Sequence, residues 1–251
     1  MTSQGMISRG RRTENFSRHR FGSSCCTHSG AGLRDARDWE DGRLDAKSKF
    51  EVLLFDLGGV LIDFAGFDEL GPLMPGVTDR AEVRDRWIAS ESVQRFERAE
   101  ISPQQFARGV IEELQLVITP EEFLTAFVEW ARGFYPGARS LLERIPRSYR
   151  LACLSNSNQL HTPLHRRHVE PLMKHCYFSD EVNVVKPEAA IFKHVISDLA
   201  VAPDRIAFFD DTAVNVAAAR AAGMVAYEVD GVAALERCLN EIGVLSSERA
   251  A

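Results

Sequence analysis

Glu51-Val52-Leu53-Leu54-Phe55-Asp56-Leu57-Gly58-Gly59-Val60-Leu61 joins a short apolar run to one aspartate and then to a turn in which two glycines remove side-chain bulk. The run has the length and composition of a buried strand. A carboxylate at the C-terminal end of such a strand is poorly explained by packing, because an unpaired buried charge is costly. Open α/β sheets place their ligand crevices at those strand ends, which makes Asp56 a candidate nucleophile or metal ligand. Asp and Gly also favour ordinary strand-to-turn junctions, so this stretch alone leaves both readings open.

Outward from Val60 the pattern turns helical. Residues 79–98 carry Val83, Trp87, Ile88, Val93 and Phe96 at mostly helical spacing, and Ser102-Pro103 opens a second helix with a capping serine and a proline at the first helical position. Thr119-Pro120-Glu121-Glu122 is a capping box that starts a third, with Phe123, Phe127 and Trp130 on its buried face. A short helix follows Pro136-Gly137. Strand patterns then return at 149–154, 176–178, 205–209 and 224–229, separated by helical runs at 158–170, 187–199, 214–222 and 232–242. Such alternation implies right-handed crossovers and a parallel sheet covered on both faces. The expected fold is therefore α/β: a Rossmann-like three-layer sandwich with a mostly parallel sheet, its core formed by 50–63 and 136–251. The all-helical block at 64–135 is an insertion, placed as a cap over the crevice.

Composition narrows the function. The chain has 251 residues, 45% of them apolar, and a net charge of −6, enough for a sizeable core. The first 49 residues carry ten Lys/Arg against six Asp/Glu, and the remainder is net −10. An acidic body argues against nucleic acid as a partner. The first 49 residues hold only 13 apolar ones, without periodicity, and are expected to form a disordered extension. They contain no apolar run suited to a secretory signal, and Asp35, Asp38, Glu40, Asp41 and Asp45 make the second half too acidic for a transit peptide. Translation from near Phe50 is a further reading, which N-terminal sequencing of the native protein checks. No stretch of 18 apolar residues exists, so no membrane-spanning segment is expected. Cys25, Cys26, Cys153, Cys176 and Cys238 show neither metal-ligand spacing nor a Cys-x-x-Cys pair, which fits a reducing, cytoplasmic setting with Cys153 in the core. Oligomeric state is not legible.

Four strand ends or loops offer polar groups to one crevice. Asp56 is the first. In Leu154-Ser155-Asn156-Ser157-Asn158 an apolar strand ends in a hydroxyl and amides just before a helix, a geometry suited to an anion. In Val185-Lys186-Pro187-Glu188 the proline is expected to start a helix, with the preceding lysine extended and its ammonium aimed outward. Phe208-Phe209-Asp210-Asp211-Thr212, followed by Asn215, ends a strongly apolar strand in adjacent carboxylates. Such carboxylates raise one another's pKa unless a cation lies beside them, and with Asp56 they form a hard oxygen site suited to Mg²⁺. Lys186 and Ser155 are then placed to hold a phosphoryl group. Singly, Lys186 reads equally as a solvated lysine and Ser155-Asn156 as a helix cap. The order of all four is the informative feature.

In that order the chain resembles the haloacid dehalogenase superfamily over residues 50–230. FDLGGVL, LSNSN, KPE and FFDD with Asn215 look like its four motifs, and the 64–135 insertion resembles the helical cap of one branch. LSNSNQLH, KPEAAIFKHV and FFDDTAVNVAAARAAGM are similar to a bacterial sugar-phosphate phosphatase group that includes glucose-1-phosphate phosphatase, and to the N-terminal phosphatase domain of soluble epoxide hydrolase. The resemblance implies an aspartyl-phosphate mechanism with Asp56 as nucleophile and a small phosphorylated metabolite as substrate. It implies Mg²⁺ held by Asp56, the Gly58 carbonyl and Asp211, with Asp210 reached through water or orienting the shell, and phosphate held by Ser155, Asn156 and Lys186.

One departure matters. Phosphatases of the superfamily usually carry a second aspartate two residues after the nucleophile, and this chain has Gly58 there. Acid–base help is worth a factor of about 100 to 10,000, and a sugar 1-phosphate, with its more acidic anomeric leaving oxygen, suffers less from its loss than an alkyl phosphate. Asp63 reads either as a substitute acid or as a surface turn residue, and His161 either faces the crevice or lies on a helix surface. His165 and His168 with Arg166 and Arg167 read as a solvated basic face. Among cap residues, Trp87, Arg95, Phe96, Arg98 and Trp130 are candidates for substrate selection, with core packing expected for the two tryptophans. A Mg²⁺-independent 2-haloacid dehalogenase and a non-catalytic phosphate-binding protein are the alternatives.

Overall fold

The computed structural model describes residues 49–245. The extension expected over 1–49 lies, apart from Lys49, outside the described residues. In chain order, β1 (Val52–Phe55) and β2 (Ile62–Phe64) lead into helices α1 (Gly66–Leu70), α2 (Arg80–Ala89), α3 (Glu91–Glu97), α4 (Pro103–Leu114) and α5 (Pro120–Glu129), then β3 (Ala131–Phe134). Strands and helices alternate from there: α6 (Ala138–Arg144), β4 (Arg150–Ser155), α7 (Thr162–Val169), β5 (His175–Phe178), α8 (Ser179–Val182), α9 (Ala189–Leu199), β6 (Ile206–Asp210), α10 (Ala213–Ala221), β7 (Val225–Glu228) and α11 (Gly231–Glu241).

Five strands form one parallel sheet in the order β5-β4-β1-β6-β7. The most apolar run takes the centre, and all four of its residues are buried. Period-two alternation splits its side chains between faces. Leu53 and Phe55 pack with Leu141, Leu142, Val169, Leu235 and Leu239 of α6, α7 and α11, whereas Val52 and Leu54 pack with Ile191, Phe192, Val195, Val216 and Ala219 of α9 and α10. Cys153 lies in the first of these layers, fully buried, as its strand pattern implied. Fully burying a side chain such as Leu53 or Phe55 contributes about 1.5–3 kcal/mol. Register has a functional result. Phe55 pairs with Cys153 on one side and Phe209 on the other, so Asp56, Ser155 and Asp210 reach the same sheet edge.

The inserted segment departs from the all-helical expectation. It is bounded by β2 and β3, an antiparallel ribbon in which Ile62 pairs with Phe134, flanked by hydrogen bonds from Tyr135 N to Leu61 O (2.9 Å) and from Ala65 N to Trp130 O (2.9 Å). The helical run at 79–98 is also two helices. Ser90 adopts extended backbone (ψ 126°), ends α2 and caps α3 by accepting from Val93 N at 3.2 Å. Its hydroxyl donates to Glu113 Oε2 (2.5 Å), and Ser92 Oγ donates to Glu113 Oε1 (2.5 Å), so α4 holds the corner. The capping box of Thr119 with Glu122 is present, and the capping Ser102 forms a second one with Gln105. Inside the cap, Phe96 stacks on Phe106 at 4.2 Å, and Phe127 and Trp130 complete the cluster.

Two further boundaries shift. The helix expected at 158–170 begins at Thr162, because Asn158 Oδ1 accepts from Leu160 N (3.1 Å) and His161 N (3.2 Å) and holds a turn instead. The helix expected from Pro187 begins at Ala189, with Glu188 at its N-cap position making no side-chain capping bond, and the Lys186-Pro187 bond is cis. No helix among the described residues is long and apolar enough to cross a membrane.

Candidate active site

Asp56 follows the last residue of β1, its backbone N–H donating to Phe209 O (2.8 Å), and its side chain turns into the crevice. Oδ1 accepts from Leu57 N at 2.7 Å and lies 2.8 Å from the Lys186 ammonium. Lys186 Nζ also donates to Asp210 Oδ2 at 2.6 Å. Asp56, Lys186 and Asp210 are 7%, 4% and 0% exposed, so this is one buried charge cluster and not three surface groups. Burial pushes the Asp56 carboxyl up to about 7 against the pull of Lys186, and Asp210 and Asp211 add to the rise. Burial works against the Lys186 charge too, yet Asp210 and Asp56 hold it above the ordinary lysine range.

The two adjacent aspartates have different partners. Asp210 Oδ1 accepts from Thr212 N (2.8 Å) and Asn215 Nδ2 (3.0 Å), and Oδ2 takes Lys186 and a longer bond from Asn215 (3.2 Å). Its oxygens are committed to holding the lysine. Asp211 reaches the opposite way, past Gly59, to Arg84 NH2 (Oδ2, 3.2 Å), and its Oδ1 accepts from the Thr212 hydroxyl (2.9 Å). Burial raises its carboxyl while Arg84 lowers it. Gly59 is required here: its φ is +75°, and a Cβ would lie 2.4 Å from Asp211 Oδ2.

Ligand oxygens of Asp56, Asp210 and Asp211 all fall within 4.8 Å of one another, and Gly58, whose carbonyl accepts no hydrogen bond among the described residues, lines the same cavity. These are hard oxygen donors of the kind a divalent cation such as Mg²⁺ takes. On the anion side, Ser155 is buried and its hydroxyl is engaged only with Asn156 O at 3.2 Å. The Asn156 side chain has a different task from the one its sequence suggested. Its Nδ2 donates to Lys186 O (3.0 Å) and its Oδ1 accepts from Lys186 N (2.8 Å), clamping the lysine backbone. What Asn156 has left for an anion is its backbone N–H, which donates to no group among the described residues.

Above these groups lies a cavity of about 420 Å³, walled by Asp56, Gly58, Ser155, Lys186 and Asp211 from the core and by Arg84, Trp87, Glu97 and Arg98 from the cap. Of the cap candidates, Arg98 reaches the cavity and pairs with Glu188, and Trp87 faces it while packing on Trp130. Phe96 and Trp130 are core, and Arg95 points to Glu100 (3.5 Å) on the surface. Asp63 is outside: Ile62 and Phe64 line the cavity, so strand alternation turns the residue between them away.

Of the histidines, His161 is buried and lines the cavity, one of the two positions its sequence allowed, whereas His165 lies elsewhere than its sequence context suggested. His161 caps the start of α7 from inside, with Nε2 2.7 Å from Phe127 O and its ring stacked on Phe127 at 4.2 Å. His165, read as part of a solvated face, is buried at 6% exposure and lines the cavity, with Nδ1 3.4 Å from Ser157 Oγ and Nε2 without a partner among the described residues. Burial lowers His161 to about 4 and His165 to about 3. Arg166 does face solvent, between Glu170 and Glu181. Sequence reading missed Arg84, Glu97 and His165 as cavity residues. No spacing marked the first two, because the corner at Ser90 sets which side of α2 and α3 faces down.

Comparison with known proteins agrees with this architecture. Residues 50–223 match the haloacid dehalogenase-like hydrolase family, so the chain belongs to that family of enzymes. Among solved structures, a family enzyme from Bacteroides thetaiotaomicron, solved with magnesium and inorganic phosphate, is similar at 24% identity and TM-score 0.56, covering 72% of this chain and 94% of its own. A HAD-like family hydrolase from Porphyromonas gingivalis is similar at 20% identity and TM-score 0.60, covering 76% and 98%. A dehalogenase solved with an intermediate is similar at 16% identity and TM-score 0.61, covering 79% and 99%.

Proposed function

We propose that this hydrolase is a Mg²⁺-dependent phosphatase of small phosphorylated metabolites, with sugar 1-phosphates favoured, working through an aspartyl-phosphate on Asp56. The observation that carries the reading is the acidic trio around a buried lysine: Asp56, Asp210 and Asp211 within 4.8 Å, with Lys186 bound to the first two. A halide-displacing site has no phosphoryl charge to neutralise and gives Asp211 no such task.

Asp56, the Gly58 carbonyl and Asp211 would hold Mg²⁺, which when bound supplies positive charge that keeps Asp56 ionised and offsets the phosphoryl oxygens. Lys186 neutralises a further oxygen, and Asp210, Asn215 and the side chain of Asn156 fix its position without touching substrate. Ser155 Oγ and the Asn156 backbone N–H donate to the remaining oxygens. Asp56 attacks phosphorus, the alcohol departs toward the cap, and water then cleaves the acyl phosphate. The cavity size restricts the ester to a small one, and the free thiols Cys153, Cys176 and Cys238 suit a reducing, cytoplasmic setting.

A panel of sugar 1-phosphates, other sugar phosphates and 2-haloacids, run with Mg²⁺ and with chelator, tests this. We expect Mg²⁺-dependent phosphate release, fastest on sugar 1-phosphates. Mg²⁺-independent halide release without phosphate release establishes the dehalogenase instead. Thermal stabilisation by sugar phosphates with no turnover establishes a binding protein.

A further inference from the structure

The first motif leaves the leaving group without an acid, since Gly58 has no side chain and Asp63 points away from the cavity. Five other carboxylates line the cavity: Asp56, Glu97, Glu188, Asp211 and Asp230. Asp56 and Asp211 belong to the nucleophile and the cation site. Glu188 is ion-paired to Arg98, and Asp230 is exposed on the loop after β7. Glu97, at the end of α3, is half-buried and makes neither a hydrogen bond nor an ion pair among the described residues. It is the one carboxylate that the cap contributes to the cavity, across which Asp56, Ser155 and Lys186 line the core side.

We propose that Glu97 is the catalytic acid and base that the first motif lacks, protonating the leaving alcohol and then activating water; the assignment rests on the phosphatase reading and extends its substrates from sugar 1-phosphates to esters of ordinary alcohols. In the first step an Asp56 oxygen bonds to phosphorus, the phosphorus–oxygen ester bond breaks with its electron pair going to the leaving oxygen, and that oxygen takes the Glu97 proton. In the second, water gives its proton to the Glu97 carboxylate as its oxygen bonds to phosphorus. The Asp56–phosphorus bond breaks, and inorganic phosphate leaves with Glu97 reprotonated. The surroundings suit the role. Burial pushes the Glu97 carboxyl up to about 8, with Lys186 and Arg98 pulling down and Asp56 and Asp180 pushing up, so the acid form prevails at neutral pH.

The test compares alkyl phosphate and p-nitrophenyl phosphate in single-turnover and steady-state experiments with Mg²⁺, on wild type, Glu97→Gln and Glu97→Gln with Gly58→Asp. A side chain fits at Gly58, where the nearest heavy atom to an added Cβ is Phe64 Cβ at 4.0 Å. For Glu97→Gln we expect first-turnover alcohol release to fall by about 100- to 10,000-fold on the alkyl ester. On p-nitrophenyl phosphate, whose leaving group needs no proton, the first turnover persists as a burst followed by slow turnover, and Gly58→Asp restores alkyl phosphate hydrolysis. Melting temperature and inorganic phosphate binding should match wild type. Equal losses in the first turnover of both esters, or no loss on the alkyl ester, overturn the role of Glu97 while the phosphatase stands. If wild type releases phosphate from neither ester, both fall.

Discussion

At the scale of single residues, Gly59 shows most directly how backbone freedom serves chemistry. Its positive φ and the 2.4 Å approach of Asp211 Oδ2 to the position of a Cβ leave room for glycine alone. Gly59→Ala is expected to displace Asp211, weaken Mg²⁺ binding measured by calorimetry at least tenfold, and destabilise the fold by about 1–3 kcal/mol. An unchanged Mg²⁺ affinity would remove Asp211 from the cation site. This residue also marks the limit of sequence reading. The residues alone showed Asp210-Asp211 only as a pair, and the resemblance alone divided them, because what makes one anchor Lys186 and leaves the other open to the cavity is Asn215 and Thr212 donating to a particular carboxylate. For Asn156 the residue was found but the task of its side chain was not, since a side-chain amide suited to an anion is equally suited to clamping the Lys186 backbone.

At the scale of elements, the parallel sheet was legible because a four-residue apolar run needs cover on both of its faces, which a central parallel strand receives from helices above and below. Its strand ends brought Asp56, Ser155 and Asp210 together. Periodicity did not reveal the corner at Ser90, where the apolar rhythm continues across the break while Glu113 on a distant helix holds the turn. The start of α7 was hidden similarly, and with it the burial of two histidines. Their burial gives a pH effect. His161 and His165 are held neutral in the fold at about 4 and 3, below the ordinary value of 6.5. Below pH 6.5 the unfolded chain therefore binds protons that the folded chain refuses. The contribution of these two histidines to stability is full above that pH and falls from about 6.5 toward 4, while the raised carboxyls of Asp56 and Glu97 act in the opposite direction in wild type and variant alike. Urea midpoints measured across this range should therefore shift in favour of His165→Phe relative to wild type as the pH falls; identical slopes would show that this histidine is not held neutral.

At the scale of the whole molecule, the cap touches the chemistry through Arg84, whose guanidinium donates to Asp211 (3.2 Å) and to the Thr212 hydroxyl (2.6 Å). Arg84 and a divalent cation compete for the same carboxylate. Arg84→Met is expected to bind Mg²⁺ more tightly in titration calorimetry and to speed amide exchange in α2, as the cap loses an anchor. Unchanged exchange would mean that packing alone holds α2 down. Charge patterns along the chain gave no hint of this contact, because its partners stand 127 and 128 positions apart.

The antiparallel ribbon of β2 and β3 has a mechanical consequence. The polypeptide passes between its two lobes on adjacent, cross-linked tracks and not on independent tethers, so bending across the ribbon costs little whereas twisting shears its ladder. The upper lobe is thereby confined to a single arc, and every excursion along that arc carries Glu97 and Arg84 together toward or away from Asp56 and Lys186.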